Sequence, residues 1–339
     1  MQNKQRSSNI ELLRIVAMVM IVLYHIMIHG ISPYDDNPET QNNLRILYTF
    51  VIYGVDLFVL ISGYFGIRLS WRSFINLMWI IAFYKLFHLC ADTWFLGISH
   101  SWMEWFAKPL SGPVSGGGWF VDVYVLLMLV SPLLNRIKDT IKSRNDYLLC
   151  LAPLLLLDCG YGFMLGKHFD TSGFSLMNFI TLYMLGYGIR EYLRLSGKLL
   201  LIIMGIAFVL GFACMFYPYA EFMNGLLYSY SSPLVLLISV CIFAMLAKQN
   251  RISNKGINFI AASMFPVYLI HEGGNVSRWF YGSIGRLWMN QHDLFFYYIP
   301  IYVLALFLIT ISVDQLRKYI GGLVIAQLAE KISNIFKKV

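Results

Sequence analysis

Residues 9–29 read NIELLRIVAMVMIVLYHIMIH, an almost unbroken apolar run that carries Glu11, Arg14 and His25 within it. A helix needs about 20 such residues to cross the hydrocarbon core of a bilayer, at a rise of about 1.5 Å per residue. Runs of the same length recur at 46–66, 74–96, 117–135, 147–165, 175–190, 199–217, 227–247, 257–277 and 294–314. The pattern predicts an all-α polytopic membrane protein with ten transmembrane helices. Composition agrees: 58% of the 339 residues are hydrophobic and 13% are charged, against about 25% charged in soluble domains. A soluble globular enzyme could not cover its surface with so few charges. A disordered chain could not be so apolar. Lys4 and Arg6 precede the first run, but no small-residue cleavage site follows it. The run is therefore expected to stay as the first helix.

Basic residues fall in alternate connections. One set holds Lys4 and Arg6; Arg68 and Arg72; Arg136, Lys138, Lys142 and Arg144; Arg190, Arg194 and Lys198; Lys248, Arg251 and Lys255; and Arg317 and Lys318. The other set is poorer in them: Asp35, Asp36 and Glu39 with Arg45, then Lys108, Lys167 and Glu221, and a fifth loop with Arg278 and Arg286. The positive-inside rule places the first set in the cytoplasm, with both termini there. The formal charge of +8 is then a topology signal, and no nucleic-acid partner is expected. Residues 1–322 form the membrane domain. The tail, 323–339, has Val324, Leu328, Ile332, Ile335 and Phe336 interleaved with Lys331, Lys337 and Lys338, which predicts an amphipathic helix on the inner leaflet. The five cysteines lie in apolar stretches without metal spacing, so no metal is expected.

Ionisable groups at membrane depth are costly and point to function. Ser8 and Glu11 have capping-box spacing. Arg14 and His25 are eleven positions apart, so they share a helix face about 16 Å apart along the axis. Asp56 lies in the second run, and Lys85, His88 and Asp92 line one face of the third. Asp56 and Lys85 fall at similar depth and are expected to pair. His271, at the end of the ninth run, falls at the height of His25. Asp122 and Asp158 read as hydrogen-bond acceptors between helices. Trp119 and Phe120 open the fourth run after Gly116, Gly117 and Gly118.

These residues together resemble the acyltransferase 3 family of integral-membrane acyltransferases, and the likeness spans most of the chain. The family's Arg-x10-His pattern is matched by Arg14 and His25. Its Gly-Val-x-x-Phe-x-x-x-Ser-Gly-Phe/Tyr pattern is matched by Gly54 to Tyr64. Trp119-Phe120, Ser131-Pro132-Leu133-Leu134-Asn135 and Tyr268-Leu269-x-His271 match further motifs. The basic pair after the second span is wider than the family's Arg-x-x-Arg: Arg68 and Arg72 are four apart, and position 69 is Leu69.

The resemblance implies O-acylation, usually O-acetylation, of an extracytoplasmic polysaccharide or glycolipid, with cytoplasmic acetyl-CoA as donor. It implies residence in a bacterial cytoplasmic membrane, in contact with the lipid bilayer. His25, Asp56 and His271 are the expected catalytic residues. Arg14, Arg68, Arg72 and Ser62 are the expected donor-binding residues, the arginines suiting the phosphates of coenzyme A. His25 has two roles open to it, general base or acyl-accepting nucleophile. The residues alone also leave open a proton-coupled secondary transporter or polysaccharide exporter, in which the same groups would form a relay. A homo-oligomer is compatible with the sequence.

Overall fold

The computed structural model describes residues 7–111, 118–166, 172–216, 221–249 and 252–336. Lys4, Arg6, Gly116, Gly117, Lys167, Arg251, Lys337 and Lys338 lie outside the described residues, as do the side chains of Val324, Leu328, Ile332, Ile335 and Phe336. The protein is 83% helical, with no strand among the described residues, as an all-α polytopic membrane protein should be. Every backbone N–H and C=O in hydrocarbon must find a partner, and a helix satisfies them within one segment.

Seven helical segments are long and apolar enough to cross a membrane: Ser8–Tyr34, Pro38–Phe65, Trp71–Trp94, Trp119–Thr140, Arg144–Met164, Gly197–Phe216 and His292–Gly322. They correspond to seven of the ten expected runs. The other three are shorter. Helix α8 (Leu176–Glu191) has 16 residues and α11 (Pro233–Ala247) has 15. Ten of the 16 residues of α8 and seven of the 15 of α11 are buried in protein, so their length need not match the lipid. The ninth run is broken into α12 (Lys255–Ala261) and α13 (Met264–His271). Pro266, near the start of α13, cannot donate to a ladder running back through the break.

Helices also form in stretches read as loops, and the longest of these was not foreseen. The stretch read as a fifth outer loop folds as α14 (Gly274–Asn290), burying Tyr281, Gly282, Ile284, Gly285 and Trp288. That spacing is helical, but the apolar face is narrow and the charges of Arg278 and Arg286 mask it. The last helix, α15 (His292–Phe336), runs 45 residues and passes Gly322 without a break.

The chain divides into two compact units. The first comprises Met1–Tyr24, Pro38–Ile67 and Leu126–Ala261. Within it, α3 (Gly54–Phe65) packs on α8 at very close range. A Cβ on Gly63 would fall 2.1 Å from the Tyr183 carbonyl oxygen, and one on Gly186 would fall 2.4 Å from that of Leu60. Only glycine fits either place, and small residues of this kind bring membrane helices into contact. Asn135, in the second half of α6 (Trp119–Thr140), secures the end of α3. It donates to the Ile67 carbonyl (2.8 Å) and accepts from the Tyr183 hydroxyl (2.7 Å), which itself accepts from the Ile67 N–H (2.9 Å). The Ser-Pro-Leu-Leu-Asn stretch thus ends on a tether.

The second unit comprises His25–Asn37, Arg68–Val125 and Ala262–Val339. Helix α4 (Trp71–Trp94) opens with a capping box between Ser70 and Ser73. It then binds its neighbours through the polar face read from the sequence. Lys85 donates to Ser111 Oγ (2.9 Å), beyond α5 (Trp102–Leu110). His88 donates to the Leu269 carbonyl (2.8 Å), and Asp92 meets His100 (2.9 Å) and Asn275 (2.9 Å). Asp56, in the first unit, accepts from Ser239 Oγ (3.2 Å). In place of the expected Asp56–Lys85 pair, each group has a partner inside its own unit.

Candidate active site

Helix α1 runs from Ser8 to His25, and a π-helical turn, Ile26–Ile31, follows at once. A π turn holds one more residue than an α turn and is frequent at functional sites. On the other side, α13 ends at His271, with Glu272 as its C-cap. The chain then turns through Gly273 and Gly274. Gly274 has φ +55°, in the left-handed region, and a Cβ on Gly273 would sit 1.9 Å from the His88 ring. Glycine is required at both places, and the turn ends α13 directly after its two ionisable residues.

The result is a cluster within the second unit. His25 Nδ1 lies 2.9 Å from Glu272 Oε1 and 3.1 Å from His271 Nε2. His271 Nδ1 donates to the Val267 carbonyl at 2.6 Å. A carbonyl only accepts, so this nitrogen carries the proton and Nε2 of the neutral ring has a lone pair. Both neighbours of His25 Nδ1 are then acceptors, and His25 Nδ1 carries its own proton. In the neutral imidazole that leaves Nε2 of His25 as the basic nitrogen. Both histidines are buried, and Glu272 is half-buried. The His29 ring lies 5.5 Å from that of His25 and 5.4 Å from that of Tyr281. Behind His271, Tyr268 stands edge-on to the imidazole (5.7 Å), and Phe120 packs on Tyr268 (5.3 Å). Phe120 therefore backs the cluster.

Of the residues expected at a site, the structure brings His25 and His271 together. The others have different surroundings. Arg14 is half-buried and forms an ion pair with Glu11 at 2.7 Å. The expected capping box of Ser8 and Glu11 gives way to this pair, because Ser8 Oγ accepts from the Asn254 N–H (2.7 Å) and donates to Asn258 Oδ1 (2.9 Å). Asp56 is fully buried on α3 with Ser239 as donor. Ser62 donates to the Phe58 carbonyl one turn back (3.2 Å). Arg68 and Arg72 are exposed at the start of α4, where the Arg68 carbonyl accepts from Ser73 Oγ (3.0 Å).

Two members of the cluster had no role in the sequence reading, Glu272 and His29. Each had a signal. Glu272 directly follows His271, and His29 stands four residues after His25, the spacing that sets two side chains on one helix face.

An imidazole held at one nitrogen by a carboxylate, with the other nitrogen basic, is the arrangement that takes a proton from a hydroxyl. No curated protein and no solved structure matches the chain. The acyltransferase 3 family model, described as an acyltransferase domain, matches residues 7–314. That match takes in nearly the whole chain and every residue of the cluster, so this multi-pass membrane protein belongs to the acyltransferase 3 family and is a membrane acyltransferase.

Proposed function

We propose that the protein transfers an acetyl group from cytoplasmic acetyl-CoA to a hydroxyl of an extracytoplasmic polysaccharide or glycolipid, in a bacterial cytoplasmic membrane. The observation that carries this reading is the hydrogen bond between His25 Nδ1 and Glu272. His25 acts as general base through Nε2. It takes the proton of the acceptor hydroxyl as that oxygen attacks the thioester carbonyl carbon. The C–S bond breaks, coenzyme A leaves as the thiolate, and the proton held on His25 passes to it. Glu272 and His271 orient the imidazole, and Glu272 stabilises the imidazolium formed in the step. Arg14, Arg68 and Arg72 take the donor phosphates through charge-assisted hydrogen bonds, with Ser62 as a further donor-binding residue. The exposure of Arg68 and Arg72 supports that role. Asp56, enclosed on α3, supports the fold of the first unit and has no step in this scheme.

The test is radiolabelled acetyl-CoA supplied to the purified protein in detergent, together with mass spectrometry of envelope sugars from cells with and without it. Label transferred to a glycan, and a mass difference of one acetyl group on the sugars, are the expected results. Movement of a solute into liposomes without turnover of acetyl-CoA would overturn the reading in favour of a transporter.

A further inference from the structure

The π turn after His25 does more than end a helix. It sets His29 beside His25, and the ligating atoms of His25, His29 and Glu272 all lie within 4.8 Å of one another. Two imidazoles and one carboxylate are the donor set of a catalytic or regulatory zinc site that keeps one position open. The donors of a tetrahedral zinc ion stand about 3.3 Å apart, as its bond lengths of about 2.0–2.1 Å require. His25 Nδ1 and Glu272 Oε1 are already closer than that, at 2.9 Å. His29 is the exposed member of the three, so its side chain has freedom to close the remaining gap.

The surroundings add a second, independent observation. The Tyr281 hydroxyl is buried, and it has no hydrogen-bond partner among the described residues. Its ring lies 5.4 Å from that of His29. An unmade hydrogen bond of a buried group is costly, so a polar occupant beside His29 would relieve one. His271 holds its own proton on Val267 (2.6 Å) and turns Nε2 toward His25 Nδ1 (3.1 Å).

We propose that His25, His29 and Glu272 form a binding site for a divalent transition-metal cation of the zinc class, and that the cation switches the acyl transfer off. Binding through His25 Nδ1 displaces the proton from that nitrogen and moves it to Nε2 or to solvent. Glu272 is recruited as a ligand and no longer orients the base. The binding claim stands on geometry alone. The inhibition rests on the proposed role of His25.

The test uses the full chain, purified in detergent and stripped with chelator. Cobalt(II) replaces zinc as a visible probe, and zinc is titrated by calorimetry. One equivalent per chain is expected, with the intense visible absorption of four- or five-coordinate cobalt. His29→Gln and Glu272→Gln should each weaken binding about 100-fold, more than the loss of a residue outside the ligand set. Transfer is then measured with and without zinc inside each variant and expressed as a ratio. Zinc should inhibit the wild-type chain, chelator should restore it, and His29→Gln should blunt the response. Absence of stoichiometric binding, or binding unchanged in both variants, overturns the site. Binding without inhibition in an active protein overturns the switch. If the protein transfers no acetyl group at all, the proposed function fails, while the cobalt spectrum still decides the site.

Discussion

Two carboxylates in the second unit, Asp314 buried and Glu272 half-buried, have different company and different prospects. Asp314, on α15, is fully enclosed and meets Arg317 Nε (2.8 Å), Lys318 Nζ (2.6 Å), Ser263 Oγ (2.7 Å) and the Tyr84 hydroxyl (3.4 Å). Its partners are permanent cations and hydroxyls, and both oxygens are occupied. Glu272 meets His25, with His271 and His29 nearby. Its partner is an imidazole, which has a second nitrogen to work with. Charge burial alone does not identify chemistry. A carboxylate saturated by permanent cations holds helices together, and one set against imidazoles can serve a reaction.

The sharpest way to break this contrast is to remove each partner and read activity and stability separately. His25→Ala should lower acetyl transfer about 10²–10⁴-fold, the usual share of a general base, with membrane insertion and melting temperature nearly unchanged. Retained transfer in a folded variant removes the base from the scheme. Asp314→Ala should do the reverse. It leaves Arg317 buried without its counter-ion, a change that costs about 3–5 kcal/mol, visible as a lower melting temperature in detergent. An unshifted melting curve would deny the structural role. Glu272→Gln keeps size and shape but weakens a charge-assisted hydrogen bond worth about 1.5–3 kcal/mol. Transfer should fall about 10–100-fold through kcat more than KM. A pure KM effect would place Glu272 on the acceptor instead of behind the base.

A third carboxylate, on the surface, marks the low end of the scale. Glu104 in α5 has a side chain 40% exposed and closes a capping box with Ser101. The Lys108 ammonium, and after it the Ser101 backbone, hold its carboxyl below the usual value, at about 2. A carboxyl lowered by folding stabilises the fold above its unfolded value of 4.5, and that contribution is lost as pH falls toward about 2. Hydrogen-exchange protection of residues 102–110, corrected for the intrinsic rate, should decline over that range. Ser101→Ala, which removes a cap worth about 1 kcal/mol, should lower protection already at neutral pH. Protection that ignores both changes would show that α5 is held by packing alone.

The sequence reading succeeded where the signal was long and repeated. Seven runs returned as helices of spanning length, and His25 and His271, read as lying at one height, lie 3.1 Å apart. It missed where the signal was short or lay in packing. Gly186 lies inside the sixth run, and with Gly63 it lets α3 and α8 meet, a contact that no single helix pattern reveals. The break at Ser263 and the helical stretch Gly274–Asn290 depend on partners far along the chain, Asp314 for one and the buried face of α14 for the other. Glu272 and His29 were in view as residues. Their roles depend on a glycine turn and a π turn, and hydropathy registers neither.

The π turn at Ile26–Ile31 also makes the chain sensitive to its own length. Each residue of a regular helix adds about 100° of rotation, and the widened turn absorbs one residue beyond the ordinary ladder. Deleting a single position between His25 and His29 would restore regular hydrogen bonding and make the segment locally more comfortable. It would also swing everything after the deletion by about a quarter of a circle and carry His29 off its present bearing. At this place a gain in helical regularity and the alignment of the two imidazoles pull in opposite directions.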